Sequence, residues 1–125
     1  MTITQLRQRY EKHPNIEAFN RILDDTTLKH FYCGGLSASS SSLLASVLID
    51  KKKHPFVFIL GNLEEAGYFY HDLVQLLGEE KVLFFPSSFR RAIKYGQKDA
   101  ANEILRTEVL SRLQKQEKGL CIVTY

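Results

Sequence analysis

"FVFILGNLEEAGYFYHDLVQLLGEEKVLFF", residues 56–85, decides the fold class. Its first five residues (56–60) form a continuous apolar run introduced by Pro55, which predicts a strand covered on both faces. "LEEAGYFYHDLVQLL" (63–77) has helical spacing, with Asn62 and Glu65 placed for a capping box and Gly78 where a terminator belongs. Phe69 and Leu73 are expected to face the sheet, and Tyr68 and Tyr70 to be partly exposed. His71 and Asp72 are adjacent, so they point about 100° apart on a helix and form no catalytic pair by adjacency. "KVLFF" (81–85) predicts a second strand, stopped by Pro86. A strand, a helix and a strand in this order imply parallel pairing, because the helix supplies the long crossover.

The alternation continues in both directions. Downstream, "AANEILRTEVLSRLQKQ" (100–116) predicts a helix carrying Ile104, Leu105, Val109 and Leu113, and "GLCIVTY" (119–125) an apolar strand. Upstream, "SSLLASVLIDKKK" (41–53) predicts a helix with Leu44, Val47 and Leu48 inward, and "HFYCG" (30–34) a short strand. Lys51, Lys52 and Lys53 would then sit favourably at a helix C-terminus. The expectation is an α/β three-layer sandwich on a mostly parallel sheet of about four strands, with right-handed crossovers. Residues 1–28 read as a separate N-terminal helical segment and 29–125 as the α/β domain. In the former, Ile3, Leu6 and Tyr10 recur at helical spacing until His13-Pro14 ends the run. A second helix follows, with Asn15 as its cap and Ile16, Phe19, Ile22 and Leu23 on one face. The last residues lie in an apolar strand, which suggests a piece of a longer protein.

Composition excludes several classes. The 125 residues are 44% hydrophobic and 25% charged, as in an ordinary globular domain. A net charge of +3 is too small to argue for nucleic acid by itself. No apolar run approaches the ~20 residues of a membrane span, and the polar N-terminus is no secretory signal. Cys33 and Cys121 lie in apolar runs and are expected to be buried free thiols, which suits the reducing cytoplasm. The histidines lack metal-ligand spacing.

The turn into the 41–53 helix carries the one candidate site. In "YCGGLSASSSSLLASVL" (32–48) a strand candidate, two glycines, a loop of small residues and a helix follow one another. Set against G-x-x-x-x-G-K-[ST] from Gly35, Ser40 replaces the second glycine, Ser41 the lysine, and Ser42 keeps the hydroxyl. Ser40 disfavours the positive φ that the glycine allows. Ser41 lacks the cation that grips the β- and γ-phosphates, a loss worth about tenfold or more in affinity. Ser42 could still reach magnesium, but no strand candidate ends in an acidic partner. Gly35, Ser40, Ser41 and Ser42 thus form a degenerate phosphate loop of P-loop NTPase type. Three readings stay open: a helix cap and tight turn, a weak anion site at the helix N-terminus, and an ATP site.

The chain resembles the N-terminal segment of the bacterial transcription-repair coupling factors (Mfd), itself similar to the first domain of the excision-repair subunit UvrB. The resemblance rests on "GGLSASSSSLLASVL", on "PFVFILGNLEEAGYFYHDLVQLLGEEKVLFFPS" and on "EILRTEVLSRLQKQEKGLCIVTY", and covers roughly residues 30–125. It implies a non-catalytic scaffold domain of a DNA translocase that displaces stalled RNA polymerase and recruits nucleotide-excision repair through UvrA. ATP and magnesium would serve a motor outside this chain, on double-stranded DNA, and this segment would need no cofactor of its own. The UvrA-contacting surface would belong to the following domain, so no residue here is assigned to it. Ser40 and Ser41 depart from a working phosphate loop, as a non-catalytic relative would.

A second candidate is "FRRAIKYGQKD" (89–99), which gathers Arg90, Arg91, Lys94 and Lys98 around Phe89 and Tyr95. Basic residues among aromatics can hold a phosphate backbone and stack bases. A solvated loop, an interdomain contact and a DNA contact all fit. The alternatives to a scaffold are therefore an active phosphate-loop nucleotide binder and a DNA-binding module.

Overall fold

The computed structural model describes residues 1–87 and 100–125. Among these residues it is an α/β fold of five helices and a three-stranded parallel sheet. In chain order the elements are α1 (Ile3–Glu11), α2 (Pro14–Asp24), α3 (Ser40–Ile49), β1 (Phe56–Ile59), α4 (Leu63–Leu77), β2 (Val82–Phe84), α5 (Ala100–Gln114) and β3 (Cys121–Thr124). The sheet order is β1-β3-β2, with Phe56 and Val82 both in register with Cys121.

Local chemistry sets the helix ends. Thr2 Oγ1 accepts from the Gln5 N–H at 3.2 Å, and Gln5 Oε1 accepts from the Thr2 N–H at 3.0 Å, a reciprocal capping box at α1. The second helix is capped earlier than expected. His13, not Asn15, is the cap: its Nδ1 accepts from the Asn15 N–H, and Pro14 takes the first helical position, where a missing N–H costs nothing. Asn62 Oδ1 accepts from the Glu65 N–H at 2.9 Å, as expected. The reciprocal bond goes elsewhere, since Glu65 Oε2 accepts from the Gly61 N–H at 3.1 Å. Gly78 ends α4 at φ +91°, a value open to glycine at no steric cost.

The pleat of β3 sorts the core into two sides. Cys121 and Val123 point to one face, where Ala45 and Ile49 of α3 and Ala66 and Leu73 of α4 cover them. Phe56 and Phe58 of β1 and Phe84 of β2 pack against the same cluster. Ile122 points to the other face and meets Leu83 of β2 and Val109 of α5. The chain moves from β1 past β3 to β2 with α4 on one face, then returns from β2 to β3 with α5 on the other. Two crossovers in opposite directions keep one hand only if their helices lie on opposite faces, which is the arrangement seen.

Larger expectations change as well. Residues 30–34 form no strand: Phe31 packs edge-on against Phe19 of α2 at 5.1 Å, and Tyr32 is 92% exposed. A strand persists only where its backbone finds a neighbouring ladder, and this segment pairs with none of the described strands. The sheet therefore has three strands rather than about four among the described residues. Strand β1 is an edge strand covered on one face only, with Val57 58% and Ile59 77% exposed. The reason is the placement of α5 over β2 and β3. The same placement leaves Ile104 exposed and Leu105 and Leu113 at the rim, while Val109 alone of the four is buried. Finally, α3 stops at Ile49, so the lysines lie beyond it. Lys51 pairs with Glu11 of α1 at 2.6 Å, and Lys52 with Asp24 of α2 at 2.5 Å. They tie the first two helices to the domain.

The two cysteines separate. Cys121 is wholly buried, and burial pushes its thiol up to about 12. Cys33 is exposed, contrary to expectation, because the strand that would have buried it is absent. Iodoacetamide at mildly alkaline pH is expected to alkylate Cys33 in the native protein and Cys121 only after denaturation, as read by peptide mass. Native labelling of both would contradict the packing of β3.

No helix of the described residues is long and apolar enough to cross a membrane.

Candidate functional site

Ligand clefts of α/β sheets open at the carboxyl ends of the strands. Here β1 leads into Leu60 and Gly61, the first turn of α4 stands beside them, and the N-terminus of α3 faces α4 across a cleft of about 670 Å³. One wall is the turn into α3, with Ser39, Ser41 and Ser42. The other is a single face of α4 made by Glu65, Tyr68, Phe69 and Asp72, which are spaced i, i+3, i+4 and i+7.

The serines turn back onto their own loop. Ser40 Oγ accepts from the Ser37 N–H at 2.7 Å and donates to the Ser37 carbonyl at 2.6 Å. Ser41 Oγ donates to the Ala38 carbonyl at 3.2 Å. Such local bonds close the turn and compete with any outside ligand. Gly35 has φ +80°, as its place at the start of the loop suggests. The second left-handed position is Ala38, at φ +47°, rather than Ser40, which is already the first residue of α3. The constraint expected at Ser40 therefore falls two residues earlier, on a residue with a Cβ.

Ser42 is fully buried, and its Oγ lies 2.9 Å from both the Ser39 carbonyl and Asp72 Oδ2. With one proton it donates to one of these at a time. An acidic partner of Ser42 thus comes from α4 rather than from a strand end. Glu65, anchored through the Gly61 N–H, adds a second carboxylate. No described Lys or Arg lines the cleft. With Ser41 in the lysine position and no described cation in the lining, no described side chain of the cleft neutralises the β- and γ-phosphates of a nucleoside triphosphate.

Gly35, Ser40, Ser41 and Ser42 are thus brought together as one turn, with only Ser41 and Ser42 among them lining the cleft. Arg90, Arg91, Lys94 and Lys98, with Phe89 and Tyr95, lie outside the described residues. The sequence reading missed Glu65 and Asp72 as partners of the loop. The i, i+7 spacing on the helix that follows β1 carries that signal, although it does not say what the helix faces. Among the described residues, no group of three His, Cys, Asp or Glu side chains could hold a metal ion.

Comparison with models of protein families, with curated proteins and with solved structures finds no match to this chain.

Proposed function

We propose that the chain is a non-catalytic interaction domain, the N-terminal UvrB-like module of a transcription-repair coupling factor. In that reading the fold is a decayed P-loop NTPase sandwich. The intact protein is a cytoplasmic, ATP-driven translocase on double-stranded DNA that displaces stalled RNA polymerase and recruits excision repair through UvrA. The family assignment rests on the order of the three sequence segments that carry the resemblance. The non-catalytic assignment rests above all on Ser41, which stands where a phosphate loop carries its lysine and spends its hydroxyl on the Ala38 carbonyl.

Titration of the purified chain with ATP and magnesium, followed calorimetrically, is expected to give no saturable binding. Micromolar affinity would overturn the non-catalytic reading. The family reading is tested separately by the coding sequence that follows the Tyr125 codon: helicase motor motifs are expected there, and a polypeptide without them is not a coupling factor.

A further inference from the structure

Helices α1 and α2 are held to the rest of the chain by charge rather than by a shared core. No residue of either helix belongs to the two apolar clusters that pack the sheet. Of their residues, Ile16 alone is buried. The apolar side of α2 meets Leu44 of α3 and residues 32–36 around an open cavity of about 560 Å³, so few close contacts hold it there. Every described hydrogen bond from these helices to later elements has a charged partner. Arg7 reaches the Ser46 and Leu76 carbonyls and Asp50, Glu11 pairs with Lys51, and Lys52 donates to Asp24 and to the Asn20 carbonyl.

Docking of the two helices also has a cost. Among the described side chains, Arg7 Nε and Asn20 Oδ1 are the polar atoms buried without a hydrogen-bond partner, and both belong to these helices. Water satisfies both on release. The Lys52 side chain, 6% exposed when docked, likewise returns to water, so release strands no charge. Residues 25–39 contain no helix or strand and give the pair length to swing. Beneath α1 lies Val47 of α3. It is buried, yet it belongs to neither core cluster, and the residues across from it are Thr4, Arg7, Gln8 and Glu11. Its cover is therefore α1.

We propose that α1 and α2 form a strap, latched by ion pairs over α3, that opens as a unit while the sheet stays folded and uncovers Val47. The latch answers to whatever screens its charges or competes for them. The strap is a property of this chain and stands apart from the interaction-domain reading.

The test is ionic strength. Raising sodium chloride from about 0.05 M to about 1 M shortens the screening length from more than ~10 Å to ~3 Å. Hydrogen exchange of the whole chain, read by peptide mass, is expected to quicken about tenfold in α1 and α2 and to stay unchanged in β3. A second reporter is Val47→Cys in a Cys33→Ser background. Iodoacetamide labelling at position 47 is expected to rise about tenfold over the same range, while buried Cys121 stays unlabelled. Glu11→Gln removes one ion pair and no apolar contact. It is expected to speed that labelling about twofold at low salt and to flatten the salt response. Protection of α1 and α2 that is indifferent to salt would overturn the strap. So would exchange in β3 that rises in step with α1, since the helices would then open only with the whole fold. A labelling rate at position 47 that does not move with salt would overturn the shielding of α3. If Val47→Cys loses its fold, exchange of the unaltered chain decides alone.

Discussion

Replacing Leu73 with alanine is expected to lower the unfolding free energy by about 3 kcal/mol, within the ~2–5 kcal/mol range for truncating a buried leucine. Leu73 has no exposed surface and sits in the cluster that joins α3 and α4 to all three strands. Its neighbours there include Ala45 and Ala66, small residues whose side chains cannot swing far into a void. The cavity should therefore stay largely open. Domains of this kind have about 5–15 kcal/mol in total, so the loss is a large fraction. Urea denaturation followed by circular dichroism measures it. Leu63 lies on the same helix but is exposed, and Leu63→Ala should change stability by no more than about 0.5 kcal/mol. Equal costs at the two positions would mean that α4 packs through a different face.

The second large effect is expected at Arg7. From α1 its guanidinium donates to the Leu76 carbonyl near the end of α4 at 3.2 Å and to the Ser46 carbonyl of α3 at 3.1 Å. It also pairs with the carboxylate of Asp50 at the C-terminus of α3. One side chain thus satisfies acceptors on two helices and holds a third against them. Bonds made by a charged donor contribute about 1.5–3 kcal/mol each at most, and Nε, buried without a partner, offsets part of the gain. Arg7→Ala should cost about 2–3 kcal/mol, and Arg7→Lys less, because charge survives but the fork does not. Hydrogen exchange should show α1 losing protection while β3 keeps it. Uniform loss of protection would show instead that α1 is part of the global folding unit. Asp50 also faces Lys81 at 3.6 Å, so an Arg7→Ala, Asp50→Ala double-mutant cycle is needed to isolate the direct pair.

The helices were legible in the sequence because their signals are local. Gly78 and the run from Leu63 to Leu77 mark α4 without reference to any other element, and the burial of Leu73 follows from the spacing. The alternation from Phe56 to Phe84 makes parallel pairing close to obligatory. The candidate site was half legible. The missing glycine and lysine at Ser40 and Ser41 can be read off the chain, and they already argue against a triphosphate. The carboxylates that line the same cleft lie on α4, with Asp72 thirty residues on from Ser42. No pattern within the loop points to them.

What the amino-acid order settled by itself is the type of each well-marked element and the absence of a cation from the turn into α3, since both are read from neighbours within about one helical turn. What only the tertiary structure decided is which apolar surfaces find a cover and which charges meet. "HFYCG" has the composition of a strand but pairs with no described ladder, so Cys33 is exposed. Val57 and Ile59 look like core residues, yet they face solvent because α5 lies over the other two strands. Strand pairing, burial and the approach of Asp72 to Ser42 are set by contacts between residues distant in the chain, and the free energy of those contacts exists only once the helices have docked on the sheet.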